Sequence, residues 1–241
     1  MLKAIKFFKD LFLFVPVSLV IQPIARYLAF IYYYNLLVRW INKNKKGVAF
    51  NDFYSPFRDY HKRSTLYQYV LDQYNLSQQQ VIYIEFGVAS GVSFKWWLQN
   101  NQHPSSAFFG FDTFEGLPEN WGIYRKGDMS SQIPQIDDQR GHFIKGLFQD
   151  TFLGFVEQNV ERLKSPTRKV IHLDADLYTA TAFVLSQLYP YLRKGDLILF
   201  DEFNVAMHEF KAFHEFTTNF QVNLQAVAAV NNFYQTAFIV A

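Results

Sequence analysis

Two apolar runs in this chain stop abruptly at acids. Ile171-His-Leu173 is followed by Asp174 and Asp176, and Leu197-Ile-Leu-Phe200 by Asp201 and Glu202. Strands buried on both faces read as nearly continuous apolar runs, and open α/β sheets bind ligands beyond the carboxyl ends of such strands. Carboxylates gathered near a protein interior are costly unless a cation, a proton or hydrogen-bond donors offset them. Four acids at two strand exits, 27 positions apart, therefore mark the candidate reaction centre.

The elements that must position these acids alternate along the chain. Val81–Phe86, Ala107–Asp112, 141–148, Lys169–Leu173 and 196–200 read as strands. Residues 64–75, with Ser64 as N-cap, and 93–99, 151–163, 179–192 and 208–220 read as helices. Residues 222–230 and 233–240 read as two further strands turning at Asn231-Asn232. The alternation predicts an α/β fold: a doubly wound, mostly parallel seven-stranded sheet with an antiparallel C-terminal hairpin. Residues 115–140 are rich in Gly, Pro, Asp and Gln, too long for a plain connection, and are expected to form a lid. Within it, Trp121 and Tyr124 are candidates to cover a sugar ring.

The first strand–turn–helix unit reads as a cofactor cradle. Gly87 allows a sharp turn and Gly91 a close backbone approach, at a helix start that offers free N–H groups. Asp112, 25 residues after Gly87 at the exit of the second strand, stands where dinucleotide folds hold ribose hydroxyls. Capping of the next turn is its other reading. These features leave a nicotinamide and an S-adenosylmethionine site both open. The missing Gly-x-Gly-x-x-Gly, which would cradle a pyrophosphate, leans the reading to the sulfonium cofactor.

Five blocks in order, Glu85-Phe-Gly-Val-Ala-Ser-Gly91, Gly110-Phe-Asp-Thr-Phe-Glu-Gly-Leu-Pro-Glu-Asn-Trp121, Lys145-Gly-Leu-Phe-Gln-Asp-Thr151, His172-Leu-Asp-Ala-Asp-Leu-Tyr178 and Phe200-Asp-Glu-Phe203, resemble the macrocin/mycinamicin (TylF-type) O-methyltransferases. The resemblance spans about residues 60 to 240. It implies a class I (Rossmann-like) S-adenosylmethionine-dependent methyltransferase acting on hydroxyls of sugars in natural products, often with a divalent metal. It further implies cofactor contacts from Glu85, Gly87, Gly91 and Ser93, ribose contacts from Asp112 and Thr113, and Asp150 near the adenine. Asp174, Asp201 and Glu202 match its metal-ligand positions.

Oxygen-only donors suit Mg²⁺, which binds through one or two carboxylates and keeps several waters. Such an ion would lower the pKa of a substrate hydroxyl, and a carboxylate base would complete the proton transfer. Asp174 is the first choice for that base and Asp176 the reserve. His172 lies inside a strand pattern and reads as a core histidine. His208 and His214, six apart, miss the i, i+4 metal spacing. Glu209 reads as a support behind the ligands, and Trp96-Trp97 as core or interface.

The 241 residues contain no cysteine, which excludes disulfides, thiolate zinc and cysteine nucleophiles. A formal charge of +2 argues against a nucleic-acid binder. The charge is uneven: residues 1–46 carry eight Lys and Arg against Asp10 alone. They also carry two apolar runs, 11–21 and 27–38, the first interrupted by Pro16 and closed off by Pro23. Neither reaches the roughly 20 uncharged residues of a spanning helix, and no small-residue cleavage site follows. Residues 1–46 are expected to form an apolar helical extension, joined at 42–47 to a catalytic domain at 47–241. Its partner is either a membrane surface or a second subunit. The expected location is cytoplasmic, with peripheral contact at the inner face of a membrane. A non-catalytic methyltransferase-like module recruited to membranes is the alternative to an enzyme; the intact acids at both strand exits speak against it.

Overall fold

The computed structural model describes residues 1–14 and 17–241, so Pro16 lies outside the described residues. The helices are α1 (Leu2–Phe14), α2 (Val17–Asn44), α3 (Lys62–Gln73), α4 (Val92–Asn100), α5 (Phe148–Lys164), α6 (Tyr178–Leu188) and α7 (Glu209–Asn219). The strands are β1 (Val81–Phe86), β2 (Ala107–Asp112), β3 (Gly141–Lys145), β4 (Arg168–Leu173), β5 (Leu197–Phe200), β6 (Leu224–Val230) and β7 (Gln235–Val240). They form one sheet in the order β3-β2-β1-β4-β5-β7-β6, with β7 antiparallel to both neighbours. This is the mostly parallel α/β sheet with a terminal hairpin that the alternation of runs predicts.

The register places the site. Phe86 pairs with Phe111 and Leu173, and Leu173 with Phe200, so these four residues form one row across four parallel strands. The next residue on each strand is Gly87, Asp112, Asp174 or Asp201. The ladder continues one step beyond the row: the N–H groups of Gly87, Asp174 and Asp201 donate to Phe111, Phe86 and Leu173, each at 2.9 Å. Residues far apart in sequence thus leave the sheet along a single edge.

The two sheet faces bury separate cores. One packs α3 and α4 through Leu66, Val70, Phe94 and Trp97; the other packs α5, α6, α7 and the end of α2. In the second core Trp40 sits among Phe203, Phe213, Phe233 and Phe238, with ring centroids 4.8 to 5.8 Å away. Leu37 and Ile41 are buried beside it. The end of α2 is therefore continuous with the body in packing, and residues 42–44 end a helix rather than begin a linker. Pro23 lies inside α2. A proline removes one backbone hydrogen bond, and here the helix continues through it.

Other boundaries shift for local reasons. Ser64 is not the N-cap of α3; the helix starts two residues earlier, and the Ser64 hydroxyl donates back to the His61 carbonyl at 2.8 Å. β3 stops at Lys145 because Gly146 turns the chain at φ +143° into α5. The β6–β7 turn takes three consecutive left-handed residues, Asn231, Asn232 and Phe233.

Candidate active site

Gly87 is required by contact as well as conformation. At φ +94°, a Cβ there would lie 1.8 Å from the Asp174 carbonyl oxygen. The exits of β1 and β4 therefore touch backbone to backbone. The Asp112 carboxylate accepts N–H bonds from Ala89 at 2.7 Å and Phe114 at 2.6 Å, tying the first turn to the exit of β2. Asp112 caps its turn, as one reading expects, and also faces the cavity, as the other requires.

Above this edge lies a cavity of about 740 Å³, within the usual range for a small-molecule site. Gly87, Asp112, Thr113, Asp174, Asp176, Asp201 and Glu202 all line it. The segment after β2 supplies another wall. Trp121 and Tyr124 stack at 5.4 Å and exchange backbone hydrogen bonds of 3.0 and 2.8 Å, forming a small hairpin with Leu117, Pro118 and Met129 nearby on the wall.

Three residues of this site carry no signal in the sequence. Arg63, from α3, forms an ion pair with Asp201 and lies 3.9 Å from Asp174. Tyr234 donates its hydroxyl to Glu202, and Arg58 lies 3.8 Å over the Tyr234 ring. Part of the positive charge that the acids need is thus a guanidinium from a helix far upstream. Burial and the neighbouring acids push the Asp176 pKa up to about 8, and burial pushes Glu202 up to about 7. Asp201 is raised by burial and by Asp174, against the pull of Arg63. Asp174 is raised by burial and held back by Arg63 and His172. Asp176 sits in a left-handed conformation at φ 55°, and among the described residues no Lys or Arg pairs with it. Glu209 is fully buried behind the acids, accepting the Glu202 N–H at 2.8 Å.

The oxygen chemistry fits a hard cation. Asp201 Oδ1 and Glu202 Oε2 are buried without a hydrogen-bond partner, and the acids outnumber the arginines beside them. Among the described residues, however, no three such groups are gathered as a ready ligand set. Arg63 holds Asp201 and Tyr234 holds Glu202 instead.

Other expected residues stand back from the cavity. Glu85 and Ser93 are buried beneath the acids in one network: Tyr83 donates to Glu85 at 2.5 Å and lies 3.0 Å from His172 Nδ1, while Tyr67 lies 3.2 Å from His172 Nε2 and 3.1 Å from Ser93. His172 is the satisfied core histidine expected of it. Gly91, at φ +76°, is covered by Pro134, which a Cβ would meet at 2.7 Å. Asp150 is exposed in the first turn of α5, while Leu147, Phe148 and Gln149 just before it line the cavity. Trp97 is core and Trp96 packs on Tyr67. His208 accepts the Tyr178 N–H at 3.3 Å, and His214 stacks on Phe210.

Known proteins resemble this chain in sequence pattern and in fold. A family model described as macrocin-O-methyltransferase (TylF) matches residues 130–235, which hold three of the five sequence blocks and all four acids. The solved structure of CalS11, calicheamicin methyltransferase, is similar at 19% identity over 86% of this chain and 91% of that one, with a TM-score of 0.56. The apo structure of CalS11, described as a TDP-rhamnose 3'-O-methyltransferase, gives 19%, 86%, 92% and 0.53. The O-methyltransferase NovP gives 18%, 75%, 80% and 0.54. No curated protein matches the chain.

Proposed function

We propose that this chain, an S-adenosylmethionine-dependent O-methyltransferase of the macrocin (TylF) type, methylates a hydroxyl of a sugar or glycoside with the help of a divalent cation. The observation that carries the reading is the row of strand exits that opens Gly87, Asp112, Asp174 and Asp201 onto one cavity. S-adenosylmethionine supplies an electrophilic methyl group. Asp112 and Thr113 hold the ribose hydroxyls, Leu147, Phe148 and Gln149 flank the adenine, and the Gly87–Ala89 backbone faces the methionine end. Glu85, Ser93 and Gly91 shape this cradle from beneath, and Asp150 acts at most through its position at the start of α5.

Asp176 is the better base. It lines the cavity without a cationic partner, whereas Asp174 faces Arg63. Asp176 accepts the acceptor hydroxyl's proton as the O–C bond forms and the C–S bond breaks. The oxygen must stand within about 3–3.5 Å of the methyl carbon and in line with sulfur. Asp174, Asp201 and Glu202 would hold Mg²⁺, with Arg63 yielding Asp201. Held there, the ion would supply charge that lowers the pKa of an acceptor hydroxyl. The stacked Trp121 and Tyr124 offer an apolar face to a sugar ring and shield the site from water. The cytoplasm, where S-adenosylmethionine is made, is the proposed location.

Methyl transfer from labelled S-adenosylmethionine to a panel of sugar and glycan acceptors, with magnesium or with EDTA, tests the proposal. Label in a sugar hydroxyl that disappears in EDTA supports it. Equal turnover in EDTA removes the cation, and transfer confined to non-sugar acceptors removes the substrate class.

A further inference from the structure

The enzyme reading leaves the first forty residues unexplained. With about 100° between successive residues of an α-helix, Lys3, Lys6, Lys9 and Asp10 of α1 fall in one sector of about 120°, which also holds Leu2 and Leu13 near the helix ends. Ile5, Phe7, Phe8, Leu11, Phe12 and Phe14 occupy the opposite half and are 42% to 88% exposed. No residue of α1 is buried. Exposure of so large a contiguous apolar face marks an interaction surface.

We propose that α1 and the first half of α2 dock the protein on an anionic lipid surface. Two observations select lipid over a second copy of the chain, and a third sets how the helices would lie. Residues 1–46 carry eight basic residues and one acid, so two such heads repel while an anionic surface attracts both. On α2, Tyr27, Leu28, Phe30, Ile31 and Tyr32 are all 48% to 69% exposed and cover an arc of about 200° around the helix. A partner helix covers only a stripe of such a surface, whereas headgroups and acyl chains can cover much more of it. Finally, no helix among the described residues is long and apolar enough to cross a membrane, so the helices lie in the interface. Trp40, wedged among four phenylalanines, fixes the far end of α2 to the catalytic body. The body is then held at a defined side of the membrane rather than on a loose tether.

Flotation of the full chain with vesicles tests this. The chain should float with mixed phosphatidylglycerol and phosphatidylcholine, and about tenfold less with phosphatidylcholine alone. Phe8→Glu with Phe12→Glu, at exposed positions, should abolish flotation while calorimetric binding of S-adenosylhomocysteine is unchanged, which shows that the body is folded. Lys6→Glu with Lys9→Glu should weaken flotation about tenfold or more. Failure of the wild-type chain to float, or flotation indifferent to the Phe substitutions, overturns the proposal. A stable dimer that the same substitutions dissolve, without lipid binding, assigns the face to a second copy and also overturns it. Cofactor binding is read separately, so failure here leaves the catalytic proposal standing.

Discussion

Asp174 and Asp176 differ by two positions and by environment. Asp174 shares a guanidinium with Asp201, while Asp176 is pressed among carboxylates and raised to about 8. A general base works best with a pKa near the operating pH. Asp176→Asn should therefore cut turnover about 10²- to 10⁴-fold while leaving S-adenosylhomocysteine affinity within about twofold in calorimetry. Because the ionised form accepts the proton, kcat/KM should rise with pH and then level off, and a magnesium ion beside the acids should bring that limb below the value of about 8 of the metal-free chain. A rate that does not fall on acidification would move the base elsewhere. The four acids were legible because two apolar runs end on them. Arg63, Arg58 and Tyr234 were not, since tertiary packing alone brings them to the acids, and Arg63 stood just outside a helix read as starting at Ser64.

At the scale of elements, the strand exits carry the argument. Gly87→Ala would force a Cβ into the Asp174 carbonyl at a φ that disfavours any side chain. It should destabilise the fold by about 1–3 kcal/mol in urea unfolding and weaken cofactor binding as the two exits part. Trp40→Ala should cost about 3 kcal/mol by opening a cavity among four phenylalanines. An effect under half of that would mean the extension is held loosely. The strands and their order of alternation could be read from apolar runs, yet their spatial order could not. Pairing of β1 with both β2 and β4 is a property of the sheet, and only that pairing shows why residues 87, 112, 174 and 201 converge. The end of α2 was misjudged because its polar Asn and Lys resemble a linker, while Leu37, Trp40 and Ile41 on the other face are core.

The whole molecule should show the strain of its acid cluster as a pH dependence. Asp176 and Glu202 are raised to about 8 and about 7 in the folded chain, against about 4 in an unfolded one. The folded state therefore binds more protons than the unfolded state between those values, and stability falls as pH rises through that window. Without added metal, Tm should be higher near pH 5 than near pH 8, and magnesium should recover much of the loss at the higher pH by stabilising the ionised acids. A Tm that climbs with pH in the metal-free protein would contradict this charge assignment.

The central claim, a sulfonium-cofactor site seated over β1 and β2 beside the acids, can be tested without knowing the methyl acceptor. Titration calorimetry of S-adenosylhomocysteine into the wild-type chain and into Asp112→Ala is the direct measurement. One site per chain, weakened at least about tenfold by the loss of a charge-assisted ribose contact, is the predicted result. No binding to the wild-type chain, or equal binding to both, would contradict it.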